Sequence, residues 1–419
     1  MKVPLLIALA APTLLVLLAL GIAVDALATE HGASRQRLWL WTMGAFVVHL
    51  ALGLLLFKVG QTTFFPSDAG TYDGGARQIL AHWTRGLPFD ALPSGKEGFF
   101  YLLAGLYRVL GPYAESGLVV NAALAAALVP VVTDTARRLF GPPAARYVAP
   151  LVVLLPGLLL WTSGLLREAG VCFLIAVAGN AAVRLTSRIS PQAVVALTLA
   201  LALLFTFRGN VALIVAGGLV AGVAFGRAEL VSGLSTGLGA MAILLLVVAG
   251  LGLGYSGYKK SVNADLGQVE TVRSDLSTSA SGFAPEADVS TTGGALSYLP
   301  LGFTSFFLGP FPWQLQSARQ LVALPDVLVW WYLLPSLVRG IRSGRIMGGR
   351  RILVLVVPAL MAGLMLSLLI GNFGTVIRER VQVTVLLVPF IALGLAVRAP
   401  PTEEDTLTIV QAPVPVTGG

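Results

Sequence analysis

Apolar runs long enough to cross a bilayer as helices recur along the whole chain. A transmembrane helix needs roughly 17 to 25 predominantly apolar residues. Such runs lie near residues 4–24, 38–57, 116–133, 147–163, 169–183, 191–207, 210–226, 232–254, 326–338, 352–371 and 381–397. The pattern predicts an all-α, polytopic transmembrane bundle of about 11 helices, within a range of about 9–13. Two runs, 169–183 and 326–338, are short for a crossing, and 99–111 is either a further crossing or a helix at the interface.

Composition excludes most other classes of protein. Hydrophobic residues make up 56% of the 419 residues and charged residues only 11%, with a mean hydropathy of +0.84. Such a chain is neither a soluble globular enzyme nor a disordered or fibrous protein. The one cysteine, Cys172, can form neither an internal disulfide nor a thiolate zinc site. Gly218, Gly222 and Gly226 repeat every four residues, which predicts a close contact between helices.

Positive charge assigns the loops to the two sides of the membrane. The net charge is +8, but the basic residues are spread between apolar runs rather than gathered in a patch, which argues against nucleic acid as a partner. Short cytoplasmic loops retain arginine. One set of short loops and helix ends contains Arg35, Arg37, Arg137, Arg138, Arg146, Arg184, Arg188, Arg227, Arg339, Arg342, Arg345, Arg350, Arg351 and Arg398. We predict that this set and the short tail 400–419 are cytoplasmic in a multi-pass cell-membrane protein.

Two long segments then fall on the external side of a single membrane domain, residues 1–399. The first, 58–115, contains the acidic stretch around Asp68 and a short amphipathic helix predicted at the interface from Ile79, Leu80, Trp83 and Leu87. The second, 255–322, has a polar part at 274–294 with the composition of a mobile loop. Long loops in compact proteins are usually lids or binding loops, so we expect both segments to border a site.

Ionisable side chains concentrate on this external side. Charged groups at or within a bilayer are costly, and they are therefore candidates for function. They are Asp68, Asp73, Lys96, Glu97, Arg167, Glu168, Arg208, Arg378, Glu379 and Arg380. Carboxylates on one wall of a cavity and guanidinium groups on another suit a substrate that has a hydroxyl to deprotonate and an anionic group to hold. Lipid-linked phosphosugars fit this description.

Asp68 is the favoured catalytic carboxylate, acting as a general base. It follows an apolar run and the turn Phe64-Phe65-Pro66. If a helix begins after Pro66, Ser67 or Asp68 can be its N-cap, and capping is then the alternative role. Asp73 would lie on a different face of that helix. An ordinary exposed carboxylate is the favoured interpretation of Asp73, with a substrate contact as the alternative.

Arg167 and Glu168 stand side by side in a very short outer loop. The loop joins two apolar runs, so both groups should be partly desolvated. A catalytic role for Glu168 with a substrate contact from Arg167 stays open beside an ordinary solvated pair. Arg208 follows Phe205-Thr206-Phe207 at a helix end, where it either binds substrate or extends to the lipid headgroups.

The segment 371–380 gives a sharper signal. Its short outer turn carries Arg378 and Arg380, contrary to the positive-inside bias, and two glycines free backbone amides for an anion. Together with Asn372 and Thr375 these arginines predict a phosphate or pyrophosphate site, with anchoring to headgroups as the alternative. His31, His49 and His82 have no ligand spacing. A divalent cation, Mg²⁺ or Mn²⁺, is compatible with the external carboxylates but is not required by them.

The order of these features resembles the C-type membrane glycosyltransferases that use polyprenyl-phosphate sugars, including protein O-mannosyltransferases and lipid A aminoarabinose transferases. The resemblance covers residues 58 to 190. It is carried by Ser67-Asp68-Ala69-Gly70-Thr71-Tyr72, Phe99-Phe100-Tyr101-Leu102, Asn121, Asp134-Thr135-Ala136-Arg137-Arg138 and Arg167-Glu168. It implies that Asp68 is the proposed general base, with Tyr72 in the same acidic motif.

The chain departs from the family pattern in two ways. It has a single Asp68 followed by Ala where relatives have an acidic pair, and Lys96-Glu97-Gly98 where relatives have Lys-Pro-Pro. The segments Phe311-Pro312-Trp313-Gln314 and 372–380 are loosely similar to membrane proteins of exopolysaccharide and O-antigen assembly, including polymerases.

The resulting hypothesis is an inverting transfer of a sugar or oligosaccharide from a polyprenyl-(di)phosphate carrier to a glycan, lipid or protein acceptor on the external face. Arg378 and Arg380, with Arg208, would hold the carrier phosphate, and Lys96 is a further predicted substrate-binding residue. Two alternatives stay open: a transporter or flippase for lipid-linked sugars, and a polysaccharide polymerase or non-catalytic assembly component.

Overall fold

Helices follow one another with few interruptions in the computed structural model, which describes residues 32–60, 66–88, 96–226, 266–278, 281–315 and 320–398. The α-helices are α1 (Gly32–Gly60), α2 (Pro66–Arg85), α3 (Glu97–Leu110), α4 (Ala114–Phe140), α5 (Pro142–Ala145), α6 (Val148–Leu154), α7 (Pro156–Ser163), α8 (Glu168–Ser187), α9 (Pro191–Phe207), α10 (Gly209–Gly226), α11 (Leu266–Ser277), α12 (Thr292–Leu308), α13 (Leu324–Met347), α14 (Leu353–Leu369) and α15 (Phe373–Ala396). Within these ranges the only strand-like pairing is one bridge between Gly282 and Asn372. The predicted all-α membrane bundle is confirmed for the described part of the chain.

The predicted number of about 11 membrane-crossing helices is not confirmed. Among the described residues, six helices are long and apolar enough to cross a membrane, or seven if a bent pair counts as one span. The runs 4–24 and 232–254 lie outside these residues. Helix α3 covers 99–111 with only 14 residues, about 21 Å against the roughly 30 Å of a hydrocarbon core. It is therefore too short to be the extra crossing, and α9, with 17 residues, is also short.

The run 147–163, predicted as one span, is broken in two. Helices α6 and α7 meet at an angle of 54°, and Leu155 between them has an extended backbone, with φ −62° and ψ 116°. Pro156 explains the break, because proline disfavours the helical conformation in the residue before it and cannot donate a backbone hydrogen bond. The run 326–338 is instead longer than predicted, since α13 has 24 residues.

The buried centre of the bundle is formed by α4, α8 and α15. Glycines allow the closest helix contacts around it. A Cβ atom at Gly340 of α13 would lie 1.7 Å from the Phe390 carbonyl oxygen of α15, and one at Gly222 of α10 would lie 2.5 Å from the Val354 Cα of α14. Larger side chains at these positions would separate the helices. The close contact predicted from the glycine repeat is present.

The bundle has two chemically different ends. Glu168 begins α8 and Arg184 lies in its last turn, about 25 Å apart along the helix axis. At the Arg184 end, buried Asp134 accepts hydrogen bonds from Arg137, Arg138, Arg184 and Asn180 at 2.7–3.1 Å. The arginines predicted to be cytoplasmic in this region therefore gather at one end, opposite Glu168. That this end faces the cytoplasm stays a prediction.

The polar segment 274–294, expected to be a mobile loop, makes specific contacts in its described residues. The guanidinium of Arg273 is fully buried, binds both oxygens of Glu270 at 2.8 and 3.0 Å and donates to the Ala284 carbonyl at 2.9 Å. Phe283 stacks on Phe373, with ring centroids 4.5 Å apart. A polar composition is compatible with order here because the buried Arg273, just before the segment, binds the Ala284 carbonyl within it as well as the Glu270 carboxylate.

Candidate active site

Three charged residues from distant parts of the chain meet where α2, α8 and α15 begin. Arg378 donates from Nε to Oε1 of Glu168 at 2.6 Å and from Nη1 to Oδ2 of Asp68. Its guanidinium carbon also lies 6.0 Å from the centre of the Trp161 ring. The arginine thus bridges two carboxylates that are 100 residues apart in sequence, and its Nη2 takes part in neither ion pair. This Asp68–Arg378–Glu168 bridge is the centre of the candidate site.

Asp68 is the accessible member of the bridge. Its side chain is 42% exposed, whereas that of Glu168 is completely buried. Because α2 begins at Pro66, Asp68 lies inside the first helical turn, and the predicted capping role for Asp68 is wrong. Burial raises the pKa of Asp68, but the charges of Arg378, Lys96 and Arg167 and the Arg378 hydrogen bond outweigh it and place the pKa below its ordinary value. Asp68 is thus an ionised carboxylate that a substrate can reach.

Glu168 cannot serve as the predicted catalytic group. Its Oε1 atom lies 2.6 Å from Arg378 Nε and 3.9 Å from nitrogens of both Arg167 and Arg208. A completely buried carboxylate surrounded by three guanidinium groups is not placed to contact a substrate hydroxyl. Its geometry suits orienting Arg378 instead.

The predicted pair of phosphate-binding arginines is separated by the helix. Residues two apart on an α-helix point in directions about 200° apart, so Arg378 faces Asp68 while Arg380 faces the opposite side of α15. Arg380 is 2% exposed, donates to Asp326 Oδ2 at 2.6 Å and to the Gly309 carbonyl at 2.9 Å. The prediction that both arginines hold one phosphate is wrong for Arg380.

Arg208 lies in the break between α9 and α10 and points into the bundle. Its Nη2 atom is 2.5 Å from Oε1 of Glu379, and the other oxygen of Glu379 accepts from Gln382 Nε2 at 2.6 Å. Arg167, also buried, donates to the Phe207 carbonyl at 3.1 Å. Arg208 is 14% exposed, about as much as Arg378 at 15%, whereas Arg167 is 6% exposed, so of these two arginines only Arg167 lies deeper than Arg378.

Other predicted substrate-binding residues have structural partners. Asp73 lies apart from the bridge, where it accepts from the Tyr107 hydroxyl at 2.6 Å and from Arg77 Nε at 2.8 Å. Tyr72 is buried and packs edge-on against Phe99, with centroids 4.9 Å apart. These contacts assign Asp73 to the packing of α2 on α3, whereas Tyr72 takes part in this packing and also lies near Asp68, Glu168 and Arg378.

Asn372 and Thr375 build the start of α15. The Asn372 side chain is the N-cap and accepts from the Thr375 backbone N–H at 3.1 Å, which satisfies one of the free amides of the helix start. The Gly371 carbonyl accepts from the Phe283 N–H at 2.8 Å, and the Phe373 N–H donates to the Ser281 carbonyl at 3.0 Å. These residues therefore attach the second long segment to the helix that carries Arg378.

Two residues of this region, Asp326 and Gln382, were not singled out from the sequence, and Glu379 was counted among the ionisable candidates but was given no role of its own. Asp326 accepts from Arg380 and, through Oδ1, from the Gly157 N–H at 2.8 Å. Asp326 could have been noticed in the sequence because it is a carboxylate in an apolar run, and such a placement is costly unless the charge is paired. Gln382 carries no charge, so only its position one turn after Glu379 could have indicated it.

The Asp68–Arg378–Glu168 bridge does not fit a divalent cation. Arg378 occupies the position between Asp68 and Glu168, where a bridging ion would need to bind both carboxylates. No group of three or more His, Cys, Asp or Glu side chains in the described ranges is arranged to hold a metal. No step proposed below involves a metal ion.

Comparison with known proteins identifies the fold. No protein-family model and no curated protein matches the sequence. Crystal structures of ArnT from Cupriavidus metallidurans, one in the apo state and one bound to undecaprenyl phosphate, match with a TM-score of 0.54, 16% identity and coverage of 90% of this chain and 63% of ArnT. The chain thus spans less than two thirds of the ArnT length. ArnT is a GT-C aminoarabinose transferase, and this multi-pass membrane protein shares its fold, so the resemblance seen in the sequence is confirmed at the level of the fold alone.

Proposed function

We propose that the protein is a GT-C membrane glycosyltransferase that moves a sugar or oligosaccharide from a polyprenyl-(di)phosphate carrier to an acceptor hydroxyl, with inversion. The observation that carries the proposal is the convergence of Asp68, Glu168 and Arg378 at one end of a bundle with the ArnT fold. The side of the membrane on which transfer takes place is proposed to be external, because the opposite end gathers Arg137, Arg138 and Arg184.

Asp68 supplies the general base in this proposal. Its accessible carboxylate accepts the proton of the acceptor hydroxyl while the oxygen attacks the anomeric carbon and the bond from that carbon to the carrier phosphate breaks. Arg378 keeps the carboxylate oriented by binding its Oδ2 atom, and Glu168 in turn orients Arg378. Proton acceptance needs the ionised form of Asp68, which its lowered pKa supplies at neutral pH.

Excess positive charge in the site suits an anionic leaving group. Four cationic side chains, Lys96, Arg167, Arg208 and Arg378, surround three carboxylates among the described residues of the cluster, those of Asp68, Glu168 and Glu379. Lys96 and the Nη2 atom of Arg378 are the groups we assign to the carrier phosphate, where they stabilise the charge that develops as the phosphate leaves. Arg167 and Arg208 contribute through their positive field.

The experiment that tests the function is transfer from radiolabelled polyprenyl-linked sugars, extracted from the native host, by purified protein in lipid nanodiscs. The expected result is label on an acceptor that depends on the protein. A transporter would instead move labelled lipid across a vesicle membrane without changing it. Movement of labelled lipid without sugar transfer would replace our proposal with the transporter alternative. Binding of labelled lipid without movement or transfer would favour a non-catalytic component of polysaccharide assembly.

The pH below which the rate of sugar transfer falls, called here the acid limit, should depend on Lys96. Lys96, Arg167 and Arg378 are the cations that lower the pKa of Asp68 below its ordinary value of 3.8, and Tyr72 is the other titratable group near it. In Lys96→Gln the pKa of Asp68 should rise, so the rate at saturating carrier should begin to fall at a higher pH than in wild type. The matched control is Arg108→Gln, at an exposed position of α3, the helix that begins directly after Lys96. An identical acid limit in wild type and Lys96→Gln would exclude Asp68 as the titrating base.

A further inference from the structure

Glu379 lies at one end of a row of alternating charges, and Asp68, at the other end, is its most accessible member. Starting from the accessible side, the row is Asp68, Arg378, Glu168, Arg208 and Glu379. Glu379 is 3% exposed and uses one oxygen for Arg208 and the other for Gln382, at 2.5 and 2.6 Å. A buried carboxylate with both oxygens occupied touches no substrate, so any role of Glu379 is exerted through Arg208.

Arg208 is shared unequally between two carboxylates. Its Nη2 atom is 2.5 Å from Glu379, while its Nη1 atom is 3.9 Å from the same Glu168 oxygen that binds Arg378 at 2.6 Å. Arg208 Nη1 and Glu168 Oε2 are both buried without a hydrogen-bond partner in the part of the chain that the structure describes. A small movement of Arg208 would satisfy both atoms, because buried charges gain strongly from a close partner.

We propose that Glu379 is a positioning residue that prevents Arg208 from binding Glu168. The proposal rests on the glycosyltransferase function proposed above. While Glu379 holds Arg208, Glu168 keeps Arg378 as its close partner, and Arg378 stays directed at Asp68. Without the negative charge of Glu379, Arg208 moves to Glu168, competes with Arg378 for the carboxylate and disturbs the orientation of Asp68.

Arg378 and Glu379 can bind different partners because they occupy adjacent positions on α15. Residues next to each other on a helix point about 100° apart, so Arg378 reaches Asp68 at the accessible side while Glu379 faces the break between α9 and α10. The first turns of α15 thus hold both Arg378, which binds Asp68, and Glu379, which binds Arg208.

The test compares Glu379→Gln with the double variant Glu379→Gln, Arg208→Gln. The single variant should lower kcat by about 10²-fold, the size expected when a catalytic group is displaced by about 1 Å. The double variant removes the competitor and should regain about tenfold in kcat at saturating carrier, although its KM for carrier rises. Glu379→Asp, which keeps the charge, should lie between wild type and Glu379→Gln, and the exposed Glu115→Gln should match wild type.

A second measurement needs no transfer and so separates this proposal from the function. In wild type, Arg378→Gln should lower the midpoint of thermal unfolding in detergent, because it leaves Glu168 without its close partner. In the Glu379→Gln background the same change should lower the midpoint much less, since Arg208 already binds Glu168. Equal shifts in both backgrounds, or a double variant no faster than Glu379→Gln, would overturn the proposal. If wild type transfers no sugar but Arg378→Gln shifts the unfolding midpoint unequally in the two backgrounds, the proposed function is refuted and the movement of Arg208 to Glu168 is supported.

Discussion

Asp68→Asn is expected to lower the rate of sugar transfer by about 10²–10⁴-fold, the usual contribution of a general base. The amide has nearly the shape of the carboxylate but cannot accept the acceptor's proton. The Asp68 side chain is 42% exposed, so the substitution should cost little folding stability. The measurement is transfer of radiolabelled sugar by wild type and variant side by side in nanodiscs.

Glu115→Gln is the matched control for this substitution. Glu115, like Asp68, is an acidic residue in the first turn of a helix, and it is exposed. The control should transfer sugar at the wild-type rate, and undecaprenyl phosphate should still bind to Asp68→Asn. Transfer by Asp68→Asn at the rate of Glu115→Gln would remove Asp68 from the mechanism.

Arg380→Gln is expected to destabilise the protein by about 3–5 kcal/mol, the cost of removing one partner of a buried ion pair. Asp326 would lose its 2.6 Å ion pair with Arg380 but would still accept a hydrogen bond from the Gly157 N–H. The Gly309 carbonyl would lose the hydrogen bond that Arg380 donates to it. Arg380 also lies against Trp330, with its guanidinium carbon 5.6 Å from the ring centre. Unfolding in detergent, with Arg108→Gln as the exposed control, measures the loss.

Carrier binding distinguishes this structural role from the phosphate site predicted for Arg380. Undecaprenyl phosphate should bind the folded fraction of Arg380→Gln with wild-type affinity, because Arg380 faces Asp326 and backbone carbonyls rather than Asp68. Arg378→Gln should weaken that binding. An equal loss of affinity in both variants would return Arg380 to the phosphate site.

Residue types and helix ends were predictable, while the geometry that joins them was not. Asp68, Glu168, Arg208 and Arg378 could be selected because charges are rare in this chain and each lies at the end of an apolar run. Their grouping at one end of the bundle was predicted from the alternation of apolar runs and from the arginines that mark the other end. Glu168 was selected correctly as a buried charge but was given the wrong role, because a sequence does not show that three guanidinium groups surround it.

The sequence by itself determined the all-α membrane class, the two chemically different ends and the charged residues available at each end. These depend on local properties, the length of apolar runs and the cost of placing charge in a bilayer. Only the tertiary structure decided which charges face one another: Arg378 with Asp68 and Glu168, Arg380 with Asp326, Arg208 with Glu379. The physical reason is that adjacent helical residues point in different directions, and each charge pairs with whichever neighbouring helix packs against its face.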